Sequence, residues 1–171
     1  MAPPGVGKTQ SMPEELSYVL VTPYSIRKSR TGGIVARLLS RSGLELVAGQ
    51  MLAPGRELVE ELAASTVTET DERHRRTQEL IRDYVLKKLA PSPTGARRRA
   101  LLLILKGEDA VLKTRTVVGH IVNERTSGET IRDTYGDYLV ENDSVAYFEP
   151  AVLAAPDQET ARKHLALWAK Y

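Results

Sequence analysis

The run Ala100-Leu-Leu-Leu-Ile-Leu105 constrains the chain more than any other stretch. Apolar residues without polar alternation read as a strand buried on both faces rather than one with a solvated side. Around it, 171 residues supply one well-buried core and are short for two. A hydrophobic content of 42% with 27% charged residues fits an ordinary globular chain. No apolar run reaches the roughly 18 residues of a membrane-spanning helix, so no membrane span is expected. The start, Met-Ala-Pro-Pro-Gly-Val-Gly-Lys-Thr, has no apolar signal region. The lack of cysteine excludes disulfides and thiolate metal sites and fits a reducing, cytoplasmic compartment. A formal charge of +2 argues against a dedicated nucleic-acid binder.

Residues 1–15 read as a flexible tail and 16–171 as a single domain. Within the tail, Ala2-Pro-Pro-Gly-Val-Gly-Lys-Thr9 resembles a phosphate-binding P-loop. A working P-loop needs a strand before it and a helix after it, and this one has neither, so it reads as an arm. Leu16-Ser-Tyr-Val-Leu-Val-Thr22 is a β-rich run that Pro23 stops. Ser29-Arg-Thr31 can cap a helix carrying Ile34, Val35, Leu38 and Leu39, which Gly43 ends. Leu44 to Leu52 reads as a second strand, and Pro54 suits the first turn of a short amphipathic helix with Leu58, Val59 and Leu62.

Asp71 to Leu89 is a longer helix whose apolar stripe is Leu80, Ile81, Tyr84 and Val85. Its first half, Asp71-Glu-Arg-His-Arg-Arg76, is polar: either a solvated turn or a basic rim facing phosphate. Ala90 to Arg99 is a loop by its Pro, Ser and Gly content, ending in three arginines that can touch nucleic acid or simply face water. Gly107-Glu-Asp109 opens a helix with Val111, Val117, Val118 and Ile121, its acidic start suited to the helix dipole. Tyr138 to Phe148 reads as a β-hairpin turning at Asn142-Asp143-Ser144. Asp157 can cap a last helix that buries Ala161, Leu165 and Trp168. Strands bridged by helices in this order predict an α/β sandwich of the ferredoxin-like type, with helices over one face.

Several stretches in this order resemble the nucleoside diphosphate kinase family. Val21-Thr22-Pro23-Tyr24 stands where that family ends its first strand in Ile-Lys-Pro-Asp. Leu105-Lys-Gly-Glu-Asp-Ala-Val-Leu-Lys-Thr-Arg115 is similar to its third strand and arginine helix. Thr130-Ile131-Arg132 matches its second arginine motif, and Leu167-Trp168 its C-terminal helix. The resemblance covers residues 16–170, with gaps around 66–98 and 138–149. It implies a ferredoxin-like βαββαβ fold of the nucleoside diphosphate kinase type, with an extra hairpin. It also implies a nucleoside di- or triphosphate ligand with Mg²⁺ and a homo-oligomer. Arg115 and Arg132 would bind phosphate, as guanidinium forks suit phosphate oxygens, and Thr22 stands at the phosphate-lysine position.

The same resemblance exposes losses. The family's phosphate-carrying histidine sits in Asn-x-x-His-Gly-Ser-Asp. Counting back from Trp168 without gaps puts Leu153 there, and a slip of one residue gives Val152 or Ala154. Leucine has no lone pair to accept a phosphoryl group. Pro150 replaces the asparagine, and Ala154-Ala155-Pro156 replaces Gly-Ser-Asp. The expectation is therefore a nucleotide-binding protein without phosphohistidine kinase activity. The alternative is an active kinase, phosphotransferase or phosphohydrolase using another residue and Mg²⁺. Of His74, His120 and His164, His120 is the best-placed candidate nucleophile. Glu149 and Asp157 flank the lost site as possible bases or metal ligands, although Asp157 reads more simply as a helix cap.

Overall fold

Strand β3 (Ala100–Glu108) lies inside a four-stranded antiparallel sheet, between β1 (Glu14–Val21) and β2 (Glu45–Leu52). The fourth strand, β6 (Val152–Ala154), pairs with the far side of β1, giving the order β2-β3-β1-β6. This computed structural model describes residues 13–121, 128–142 and 144–171. The P-loop-like segment and Asp143 of the hairpin turn lie outside the described residues. β1 begins at Glu14, opposite Glu108, so residues 14 and 15 belong to the sheet and not to a tail.

The register explains why the β3 run is apolar throughout. Alternate residues of a strand face opposite sides of the sheet. Leu102 packs with Tyr18, Leu20 and Leu52 on one side, and Leu103 and Leu105 pack with Val19, Val21 and Leu44 on the other. Each buried leucine contributes roughly 1.5–3 kcal/mol relative to exposure, so both faces need a cover. Helices α2 (Thr31–Ser42) and α5 (Ala110–Val118), with the short α6 (Ile131–Tyr135), bury Ile34, Leu38, Val117, Val118 and Ile131 on the second face. Helices α3 (Arg56–Ala64) and α7 (Gln158–Trp168), with the end of α4 (Glu72–Tyr84) and its π-helical continuation (Val85–Leu89), cover the first. The fold class is the expected ferredoxin-like one. The placement of helices over a single face is corrected: the sheet is covered on both.

Local chemistry sets the boundaries. Gly43 ends α2 at φ +64, a left-handed turn that glycine adopts at no steric cost. Arg30, not Ser29 or Thr31, is the residue before α2, and it makes no side-chain cap. Pro54 lies one residue before the α3 cap, Gly55, and so outside the first turn where it was expected. Asp109, at φ +52, precedes α5, which leaves Gly107 and Glu108 in β3 and Ile121 beyond the helix. β4 (Asp137–Glu141) and β5 (Ser144–Glu149) form the expected hairpin, as a separate two-stranded sheet.

Candidate functional site

The end of β1 and the start of β6 are tied together at one carbonyl. The Thr22 amide donates to the Ala151 carbonyl oxygen at 3.2 Å, the Thr22 hydroxyl at 3.0 Å and the Ser25 hydroxyl at 2.8 Å. Thr22 Oγ1 also accepts from the Ser25 amide at 3.3 Å and so caps the short helix α1 (Pro23–Arg27). Ala151 is held at φ +64 and is fully buried. That conformation costs an L-residue about 1–2 kcal/mol; three donors on its carbonyl keep it there. The hydroxyl at the phosphate-lysine position therefore serves the backbone that leads into β6.

Leu153 follows two residues later. It pairs with Leu20 across the β1–β6 ladder and is 4% exposed, in the same packed cluster as Tyr18 and Trp168. The side chain at the expected nucleophile position is thus part of the core. Val152 and Ala154, the one-residue alternatives, pack on the opposite face. Pro150 contributes its carbonyl, which accepts from the Val152 amide at 2.7 Å.

Glu149 precedes this turn and is buried, with Asp137 opposite it in the hairpin. Tyr84 donates its hydroxyl to Glu149 Oε2 at 2.5 Å, and Lys88 Nζ stands 4.0 Å from Oε1. Burial lifts the Glu149 carboxyl above its usual value, opposed by the Tyr84 hydrogen bond and the charges of Lys88 and Arg27. Burial and the bond to Glu149 also raise the Tyr84 phenol. Phe148 packs edge-on against both Tyr84 and Tyr138, with ring centroids 5.9 and 5.6 Å apart. The base of the hairpin is therefore docked on the end of α4 through an aromatic cluster and a buried acid. Nothing in the spacing of Tyr84, a residue of an ordinary apolar helical stripe, marks it as this partner.

The two arginines have different surroundings. Arg132 donates to the Gly119 carbonyl at 2.9 Å and the Val152 carbonyl at 3.3 Å, while its buried Nε has no partner. Burial lowers its pKa to about 10, so it stays charged at neutral pH. Arg115, on α5, is exposed, and its guanidinium makes no hydrogen bond or ion pair among the described residues. The Gly119 amide bonds back to the Arg115 carbonyl, which places the Arg132 head one turn beyond Arg115.

The three histidines have different places. His120 lies past the Gly119 cap, outside the helix on which it was expected, and is exposed. His74 pairs with Asp71 at the exposed start of α4, beside the pairs Arg75–Glu79 and Arg76–Glu72. The polar first half of that helix is thus a solvated turn. It lines an open groove of about 800 Å³ with Tyr138 and Val145 of the hairpin. His164 is buried between Tyr18 and Ser65, at 2.6 and 3.0 Å. Asp157 caps α7, accepting from the Thr160 amide at 2.7 Å. Among the described residues no group of three or more His, Asp or Glu is placed to hold a metal.

Comparison with solved structures identifies the architecture. The structure of the Borrelia burgdorferi nucleoside-diphosphate kinase with bound vanadate and ADP superposes with a TM-score of 0.66 at 16% identity, over 91% of this chain and 86% of that one. The chain has the nucleoside diphosphate kinase fold. The Pyrobaculum aerophilum enzyme gives 0.65 at 19% identity, over 91% and 96% of the two chains. That of Aquifex aeolicus gives 0.63 at 19%, over 91% and 95%. No family model matches the sequence. At these identities the likeness to nucleoside diphosphate kinases is one of fold, and activity has to be argued from the residues.

Proposed function

We propose that this chain binds a nucleoside di- or triphosphate on the nucleoside diphosphate kinase fold without carrying a phosphoryl group on histidine. The observation that carries the reading is Leu153: the position that the resemblance assigns to the nucleophile holds an aliphatic side chain packed in the core. Removing a nucleophile alone can lower turnover by on the order of 10⁶. Arg115 supports the nucleotide half of the proposal, because an exposed guanidinium with no ion pair among the described residues can meet phosphate. Arg132 is engaged by two carbonyls, and Thr22 bonds the Ala151 carbonyl. Mg²⁺ in this reading arrives on the nucleotide phosphates, as this ion often does.

Assembly into a homo-oligomer is part of the same proposal. β2 is an edge strand with Leu46, Val47 and Met51 exposed, an apolar edge that a second copy would cover. No helix among the described residues is long and apolar enough to cross a membrane. A cytoplasmic site of action fits a chain without cysteine.

Calorimetric titration with ADP and with ATP, each with Mg²⁺, tests binding. Incubation with γ-labelled ATP tests transfer. The expected result is heat without an acid-labile phosphoprotein. Label lost on His120→Ala, or phosphate released by a Glu149-dependent route, would instead establish the rival reading of an enzyme working through another residue.

A further inference from the structure

The small net charge conceals a local surplus. Arg97, Arg98 and Arg99 precede β3, and the register places Ala100 opposite Leu52, so these arginines lie beside the end of β2. Arg97 donates to the Ala53 carbonyl at 3.4 Å, and its guanidinium lies beside Gly55, next to Arg56. Arg98 donates to the Lys87 carbonyl at 2.6 Å, which draws the π-helical turn into the same surface. Arg56, Lys87, Arg97 and Arg99 are exposed and Arg98 is half-buried. None of the five makes an ion pair among the described residues, unlike Arg75, Arg76 and Arg82 of α4. The nearest carboxylate in sequence is Glu57, in the first turn of α3. At the edge of this patch Tyr171 is 47% exposed, and its hydroxyl accepts from the Gly55 amide at 2.9 Å.

We propose that this surface binds the backbone of single-stranded nucleic acid. Arginines outnumber lysine four to one, and guanidinium forks match phosphodiester oxygens in a way that a point charge does not. Two of the arginines are anchored to backbone carbonyls, which holds the charges in place instead of leaving them on free arms. The Tyr171 hydroxyl and the Arg97 guanidinium both lie beside Gly55, and the half-exposed ring offers a surface on which a base can stack, the combination by which single strands are held without sequence preference. An anionic membrane would be met by the same charges, and is separated from nucleic acid by the test. The surface uses none of Thr22, Arg115, Arg132 and Glu149, so its substitutions leave the residues of the nucleotide reading in place.

The test is fluorescence anisotropy of the full chain with a labelled 20-nucleotide RNA of mixed sequence, at several salt concentrations. The affinity is expected to fall with salt with a logarithmic slope of about −2 to −3.5, from about 0.7 per phosphate neutralised. The triple variant Arg97→Glu, Arg98→Glu, Arg99→Glu loses tenfold or more and flattens the slope. Tyr171→Ala weakens binding about fivefold and leaves the slope unchanged. Arg97→Gln with Arg99→Gln keeps the Arg98 anchor and should lower the slope even if the triple variant does not fold. Absence of salt-dependent binding, an unchanged slope in the double variant, or tighter binding to phosphatidylserine vesicles than to RNA would overturn the proposal.

Discussion

Tyr84 donates its phenolic proton to Glu149 across 2.5 Å, joining the last turn of α4 to the base of the hairpin. The carboxylate is almost wholly removed from water, yet Lys88 reaches only to 4.0 Å. Tyr84→Phe would leave that acid without its closest donor. Such a loss costs roughly 1.5–3 kcal/mol when the partner is charged, so a drop of that size is expected in urea unfolding at pH 7. A change below about 0.5 kcal/mol, the scatter of ordinary surface substitutions, would mean that the bond contributes little.

The raised carboxyl of Glu149 has its own signature. In the folded chain it holds its proton to higher pH than in the unfolded chain. Between those two values the native state binds more protons, so stability falls as pH rises through the window. Glu149→Gln keeps an acceptor for Tyr84 and cannot ionise. The variant should therefore gain on the wild type as pH climbs from about 4.5, read as a growing difference in urea midpoint. A difference that stays flat with pH would show that burial does not perturb this acid.

His164 works in the opposite sense. Burial lowers its pKa to about 4, from the ordinary 6.5 of a histidine. Tyr18 donates to Nδ1 and Nε2 donates to Ser65 Oγ, which itself donates to the Leu62 carbonyl; this assigns a neutral ring protonated at Nε2. Below pH 6.5 the unfolded ring takes up a proton that the folded ring refuses. Stability is complete above that pH and falls toward pH 4, by on the order of 3 kcal/mol over the whole interval. His164→Gln should remove most of this slope, and an unaltered slope would place the acid sensitivity elsewhere.

Much of the architecture was legible from apolar periodicity, because β1, β3 and α2 bury long regular stripes. Asp157 as a cap and Gly43 as a stop were legible from residue chemistry. β6 was not read as a separate element: three residues between Pro150 and Pro156 carry no period, and the strand exists because β1 offers it an edge. The second helical layer was missed because its members, α3, the end of α4 and α7, look like ordinary amphipathic helices until Tyr18, Leu20 and Leu102 supply their target. The strained Ala151 carries no sequence signal, since alanine has no preference for a left-handed turn. Its conformation comes from Thr22 and Ser25, which are distant in sequence.

Leu153 offers a direct check on the nucleophile position. As a core residue it should cost about 2–5 kcal/mol on truncation to alanine, whereas a side chain lining an open cleft would cost less than about 1. Leu153→His is expected to destabilise by a comparable amount and to acquire no acid-labile phosphate from labelled ATP. The ring would be buried, and Ala154, Ala155 and Pro156 offer no carboxylate to orient it. A folded, phosphorylated histidine variant would show that only the nucleophile had been missing.

The two arginines should separate in paired measurements. Arg132 bonds the carbonyls of Gly119 and Val152, linking the end of α5 to β6 with a half-buried charge. Arg132→Ala removes both bonds and leaves two acceptors without that donor, at a cost of about 2–4 kcal/mol to the protein free of nucleotide. Arg132→Lys cannot span both carbonyls with one ammonium group and should recover less than half of the loss. Arg115 has no such duty, so Arg115→Ala should leave the urea midpoint within error. It should weaken ADP binding about tenfold, the loss of one charge-assisted contact of roughly 1.4 kcal/mol. If instead Arg132→Ala leaves stability untouched and abolishes ADP binding, the carbonyl contacts are incidental and its guanidinium belongs to the nucleotide. If Arg115→Ala binds ADP like the wild type, phosphate is held elsewhere and the exposed guanidinium of α5 has no part in it.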